Sequence, residues 1–220
     1  MITPSDSEYK DTKLIRKGKK KLNQPFLELS NWINKKYAVK CINIIYDKII
    51  PDNRPRLQVI LEYEKDYLFF STPDGFNFND VLQDEISHKF IDIVNNNSSY
   101  KFETNSIFTV FSCFESIAKI EANMSIKEDE IENLLTEIND PSLWKIERCF
   151  ESTVFFFYTN FQKYSSQIFQ RRSLYTKKYF SILKQYDEFN YLTLENLSIG
   201  LDSKENFEKN FNGSWFNYWR

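Results

Sequence analysis

Glycine is scarce in this sequence. Only four occur, Gly18, Gly75, Gly200 and Gly213, each far from the next. A phosphate-cradling loop needs clustered glycines so that backbone amides can approach the ligand, and that class of nucleotide site is excluded. Alanine occurs only at 38, 118 and 122, and His88 is the single histidine. With one imidazole and no Gly-x-Ser-x-Gly turn, no serine or cysteine has an identifiable base. Cys41, Cys113 and Cys149 lie in the runs "VKCINII", "VFSCF" and "ERCF", with no Cys-x-x-Cys or Cys/His spacing. Their odd number and apolar settings point to buried free thiols in a reducing compartment, and the ligands of a structural zinc site are lacking. Long apolar runs are lacking too: "VFFFY" (154–158) is far too short to cross a bilayer. The opening "MITPSDSEYK" is polar and acidic where a secretory signal would be basic and then apolar. A cytoplasmic protein without membrane association is expected.

What the sequence does have is aromatic side chains and segregated charge. Phe 21 and Tyr 13 stand against the few small residues. Phe, Tyr, Ile, Asn and Lys rise together, as an AT-rich coding sequence would make them, so aromatic richness alone argues for no function. The net charge of −2 gives the whole chain no bulk attraction to nucleic acid or anionic membrane. Locally the balance differs. Residues 1–40 hold ten Lys/Arg against four Asp/Glu, and 115–151 hold ten acids against four bases. Residues 161–184 hold six bases (Lys163, Arg171, Arg172, Lys177, Lys178 and Lys184) and no acid. These segments can neutralise one another or present a polar face to a charged partner.

Periodicity predicts an α+β fold, with a mixed or mainly antiparallel sheet built from hairpins and covered by helices. Residues 1–24 read as a charged, helical lead-in, and 25–220 as a single compact domain. Phe26, Leu29, Ile33 and Tyr37 share a helix face after Pro25, and "AVKCINIIYDKI" and "RLQVILEY" read as strands around the turn "IPDNRP". A helix over 80–95 and a strand "SIFTVFSCF" follow, then "ESIAKIEAN" as one or two helical turns. Ser125 and Glu128 read as a capping box, and "WKIERCFE" alternates through Trp144, Ile146, Arg148 and Phe150. "TVFFFYTN" is apolar on both faces, a long helix spans about 165–189, and "LTLENLSIGL" reads as a strand. Asp202 and Glu205 cap a last short helix that Gly213 ends. The order helix–strand–strand–helix–strand thus occurs twice, at 26–113 and 126–201.

Few groups are spaced for chemistry. "PDNRPRLQVILEYEK" (51–65) has the outline of a metal-dependent nuclease strand, but Tyr63 stands where the pattern needs an acid. In a strand Glu62 and Glu64 would share a face while Lys65 points the other way. Asp84, His88 and Asp92 stack at i, i+4 and i+8, a spacing that suits a weak metal patch and equally a solvated face. On the long helix Ile168, Tyr175, Tyr179, Ile182, Leu183 and Tyr186 form one stripe, with Arg172 inside it, where burial would demand an acid from 115–151. The last residues, "NFNGSWFNYWR", crowd aromatics at a terminus. If extended, Trp215 and Trp219 share a face opposite Phe216 and Tyr218, and the stretch is expected to clasp the body.

The expected function is therefore binding of another protein without catalysis and with no metal or cofactor, as an inhibitor, immunity-type protein or adaptor would act. Candidate partner-binding residues are Arg171, Arg172, Lys178, Trp215 and Trp219. Nucleic-acid binding through 1–40 and 161–184 ranks below it, because the bases of the long helix are split between faces. A metal-dependent nuclease-like enzyme ranks last.

Overall fold

Two hydrophobic hairpins organise the chain. β1 (Cys41–Ile49) and β2 (Arg54–Leu61) pair antiparallel, and β3 (Phe108–Cys113) returns to lie parallel to β2. β4 (Leu143–Cys149) and β5 (Ser152–Phe157) repeat the hairpin, and β6 (Gly200–Ser203) lies parallel to β5. The fold is thus α+β, with two three-stranded mixed sheets covered by helices. The computed structural model describes residues 2–164 and 168–220 and, within α8, no side chains at 168 and 169. The chain divides into two compact units, Met1–Ile117 and Ala118–Arg220.

In the first unit α1 (Ser7–Arg16), α2 (Phe26–Tyr37), α3 (Glu64–Phe70) and α4 (Asp80–Asn95) surround the sheet. The apolar stripes of α2 and α4 bring Leu29, Ile33, Ile86 and Phe90 onto Leu57, Val59 and Leu61 of the central strand. Phe70 stacks on Phe111 with ring centroids 4.4 Å apart. The charged lead-in contributes to this packing. Tyr9 and Thr12 of α1 are buried, the Asn43 amide donates to Thr12 Oγ1 at 2.8 Å, and Tyr9 stacks on Phe114.

Helix α5 (Phe114–Ser125) carries the chain into the second unit, which adds α6 (Glu128–Ile138), α7 (Asn160–Lys163), α8 (Ile168–Leu183), α9 (Lys204–Phe211) and α10 (Trp215–Tyr218). β5 is buried on both faces, as its continuous apolar run requires. Phe155 and Phe157 meet Ile131 and Leu134 of α6 and Tyr175, Tyr179 and Leu183 of α8. Val154 and Phe156 meet Phe207, Trp215 and Tyr218 on the opposite side.

The two units follow one wiring plan in detail. Each first strand shifts register near its start, between Cys41 and Asn43 and between Leu143 and Lys145. The helix before it ends in a left-handed residue, Ala38 in one case and Asn139 in the other. The Glu62 N–H donates to the Lys40 carbonyl at 2.7 Å, and the Tyr158 N–H to the Ser142 carbonyl at 3.0 Å. The Glu115 N–H donates to the Glu62 carbonyl at 3.0 Å, and the Glu205 N–H to the Tyr158 carbonyl at 3.3 Å. Finally Glu115 Oε2 accepts the Glu64 N–H at 3.1 Å, and Glu205 Oε2 accepts the Asn160 N–H at 2.9 Å. A carboxylate in the first turn of one helix thus also accepts from the first residue of another, where both helix dipoles favour negative charge. Truncating either glutamate to alanine is expected to cost about 1–2 kcal/mol, the range of a lost helix cap. Denaturant unfolding of the two variants checks this.

Several elements differ from their sequence reading. α5 runs three turns where one or two are expected. Lys127, not Ser125, precedes α6, and the reciprocal bond runs from its backbone N–H to Glu130 Oε2 at 2.9 Å. Ser203 caps α9 by accepting the Asn206 N–H, which leaves Glu205 for Asn160. Only the end of "LTLENLSIGL" is strand, because Thr193 and Asn196 bond reciprocally, side chain to backbone, and hold a turn. The long helix ends at Leu183 in a 3-10 turn, and the expected start at 165–167 lies outside the described residues, as does the side chain of Ile168. The alternation through Trp144 and Ile146 breaks at the register shift: Trp144 faces Phe156 and Trp215, while Ile146 joins the opposite core.

Phe150 and Glu151 form the two-residue connection between β4 and β5, and Phe150 has φ +51° with its side chain largely exposed. A left-handed L-residue costs roughly 1–2 kcal/mol, and glycine returns roughly 0.5–1 kcal/mol of that as unfolded-chain entropy. Phe150→Gly is expected to stabilise the chain by about 0.5–1 kcal/mol, visible as a higher urea midpoint.

Candidate functional site

In a sheet with parallel strands, ligands gather beyond the carboxyl ends of those strands. In the first unit this is where β2 runs out at Leu61 and the chain enters α3 through Glu62 and Tyr63. The Glu62 side chain is fully buried and its carboxylate is held by Arg16 Nε at 2.8 Å and Lys40 Nζ at 2.6 Å. Burial pushes this carboxyl up, but Lys40 and Arg16 outweigh it and leave it below the ordinary glutamate value. Glu64 is the exposed first residue of α3, not a strand neighbour of Glu62. The pair expected to share a strand face is therefore not brought together, and Glu62 joins α1 to the strand end. Lys65 is exposed and sits over the Tyr63 ring.

The other candidate groups lie elsewhere. Asp84, His88 and Asp92 all lie on an exposed face of α4. Among the described residues no three His, Cys, Asp or Glu gather to hold a metal ion. All three cysteines are free, and burial raises each thiol, Cys41 to about 12, so they stay protonated at neutral pH.

In the second unit the polar centre is Asp202 at the end of β6. Its carboxylate accepts from Lys163 at 3.1 Å, Asn206 at 2.9 Å, the Ser203 N–H at 2.8 Å and the Tyr218 hydroxyl at 2.8 Å. Burial raises it, and these four donors together outweigh burial and lower it. The hub ties α7, α9 and α10 to the sheet.

The five candidate partner-binding residues all have contacts inside the second unit. Arg171 reaches Asp140 at 3.3 Å and Ser142 Oγ at 3.2 Å, and Lys178 pairs with Glu137. Arg172 is exposed and outside the buried stripe, donating to the Ile199 carbonyl at 2.7 Å. The acid from 115–151 expected beside Arg172 serves its neighbour Arg171 instead. Trp215 stacks on Phe207 with centroids 4.0 Å apart, and Trp219 packs edge-on against Tyr218. The end of the chain is a helical turn, so Trp215 and Tyr218, three residues apart, share the buried side, and Phe216 is exposed.

Sequence reasoning missed the feature that recurs in both units. After the central strand each chain segment enters a short helix with large apolar side chains in solvent. On α3 these are Leu68, 56 % exposed, and Phe69, 51 % exposed; on α7 Phe161 is 87 % exposed, and Tyr164, at its C-cap, 75 %. Phe76 and Val81, between and on the elements that follow α3, are exposed as well. Residues 66–70 and 161–164 have no assigned element in the sequence reading, because neither run has the length to show a helical face. No protein-family model, curated protein or solved structure matches this chain.

Proposed function

We propose that the chain is a non-enzymatic protein-binding protein of the cytoplasm, of the inhibitor, immunity or adaptor kind, and that each unit carries its own docking helix, α3 in the first and α7 in the second. The observation that carries this reading is the exposure of Leu68, Phe69, Phe161 and Tyr164 at the same place in the wiring of both units. Large apolar side chains left in water at corresponding positions are a cost to solubility with no return to the core, and aromatic anchors of this type dominate protein interfaces. The free thiols support a reducing compartment. Nucleic acid is less well supported, because Lys163, Arg171, Lys178 and Lys184 are each paired with an acid.

Phe161→Ser and Phe69→Ser test the reading. Phe161 is nearly all in solvent, so Phe161→Ser is expected to change folding stability by less than about 0.5 kcal/mol, whereas Phe69→Ser, which also gives up ring contacts with Tyr37 and Phe70, is expected to cost about 1 kcal/mol. Partner affinity is expected to fall by tenfold or more, as for a central aromatic anchor. Retained affinity in both variants, measured on the purified complex, would refute docking at these helices.

A further inference from the structure

Of the six bases in 161–184, four are neutralised within the second unit: Lys163 by Asp202, Arg171 by Asp140, Lys178 by Glu137 and Lys184 by Asp187. Among the described residues Arg172 and Lys177 have no carboxylate partner, and both line one cleft of about 290 Å³ with Ser173, Thr176 and Leu194. On α8 Arg172 and Thr176 form one i, i+4 row, and Ser173 and Lys177 form the adjacent row. The Arg172 guanidinium donates to the Ile199 carbonyl at 2.7 Å and to Ser198 Oγ at 3.3 Å. Two neutral acceptors hold it in place without compensating its charge, and a guanidinium has further N–H groups to offer. The Thr176 hydroxyl is spent on the Arg172 carbonyl, whereas Ser173 makes no hydrogen bond among the described residues and can donate. Leu194 gives the cleft an apolar wall.

We propose that this cleft binds a phosphate monoester. A fixed planar donor, a mobile ammonium and a hydroxyl suit a tetrahedral dianion, whereas a carboxylate, with one charge, leaves one of the two cations unmatched. The volume sits at the small end of ligand sites, enough for a phosphate and a compact organic group against Leu194. A nucleic-acid strand needs a continuous basic track, and the flanking bases are already paired.

The test is a titration of the full chain at constant ionic strength with phenyl phosphate, inorganic phosphate and benzoate, followed by amide NMR shifts. Phenyl phosphate is expected to give saturable shifts centred on 172–177 and 194–199, with inorganic phosphate weaker and benzoate weakest. Lys177→Gln should weaken phenyl phosphate binding about tenfold, the loss of one charge-assisted hydrogen bond. Lys178→Gln, which removes a base already paired with Glu137, should leave binding unchanged. Lys177→Gln is preferred to an Arg172 variant because Arg172 also holds the Ile199 carbonyl. Non-saturable shifts, equal response to benzoate, or wild-type affinity in Lys177→Gln would overturn the proposal. So would a short single-stranded oligonucleotide that binds more tightly than phenyl phosphate and spreads its shifts over Arg171 and Lys178.

Discussion

Replacing Arg16 and Lys40 together by methionine is expected to cost the first unit about 3–5 kcal/mol at pH 7, the penalty of leaving a buried charge without its partners. Methionine keeps the aliphatic stems that cover the strand end, so the loss reports on charge and not on packing. Glu62 is fully buried, while Arg16 and Lys40 are about a third and a half exposed. The carboxylate therefore bears most of the desolvation, and stripping the cations hurts more than stripping the acid. The pH dependence follows with opposite signs in the two proteins. In the natural chain the folded Glu62 value lies below the unfolded one, so its stabilisation is complete above the unfolded value of roughly 4.3 and disappears as pH falls through the folded value. In the double variant burial alone acts, the folded value rises above the unfolded one, and stability declines as pH rises above roughly 4.3. The two curves should converge once pH falls below the folded Glu62 value of the natural chain and separate towards neutrality. Adding Glu62→Gln to the double variant should recover most of the loss at pH 7 and abolish its pH slope. Hydrogen exchange at β1 and β2 amides across pH reads the first unit separately. A double variant as stable as the natural chain at pH 7 would show that the cations do not hold Glu62.

Trp215→Ala is expected to destabilise the second unit by about 3 kcal/mol, the lower end of the range for deleting a large aromatic, because Trp215 is partly buried. Trp215 lies parallel to Phe207 at 4.0 Å and to Trp144 at 6.3 Å, and meets Phe156 edge-on at 5.3 Å. Removing it uncovers Phe156, which is completely buried, and loosens Tyr218, whose hydroxyl donates to Asp202. Its neighbour supplies the control. Phe216 is 71 % exposed with Arg220 over its ring, so Phe216→Ala should change stability by less than about 0.5 kcal/mol. Such different outcomes for adjacent aromatics follow from one ring packed on Phe156 and Phe207 and the other left in solvent. Equal losses from both would favour an extended stretch with rings on both sides.

The legible parts of the fold were those in which one segment carries its own pattern. The stripe of α2 and the two-sided apolar run of β5 required no distant information, and the first hairpin followed from its turn at 50–55, whereas the second turn, Phe150–Glu151, was hidden inside a run that reads as strand. Features that depend on pairing were hidden. The register shift at Trp144 is a property of two strands, so clean alternation in one of them gave no sign of it. Glu62 reads as a strand residue until Arg16, 46 positions away, is known to end beside it. The shared wiring of the units was visible as element order only, because the connections differ in length and no constant spacing relates Glu115 to Glu205 or Lys40 to Ser142. For the site, the paired and unpaired bases of α8 cannot be told apart by sequence, since the distinction lies in acids contributed by other elements.

The central claim is that α3 and α7 are the faces that meet a protein partner. Photo-cross-linking in the source cell tests it most directly, with a benzophenone amino acid placed in turn at Phe69, Phe161 and, as an exposed control on α4, His88. The account predicts one discrete adduct of the same partner from Phe69 or Phe161, and none from His88. Identical adducts from all three positions, or a discrete adduct from His88 alone, would contradict it.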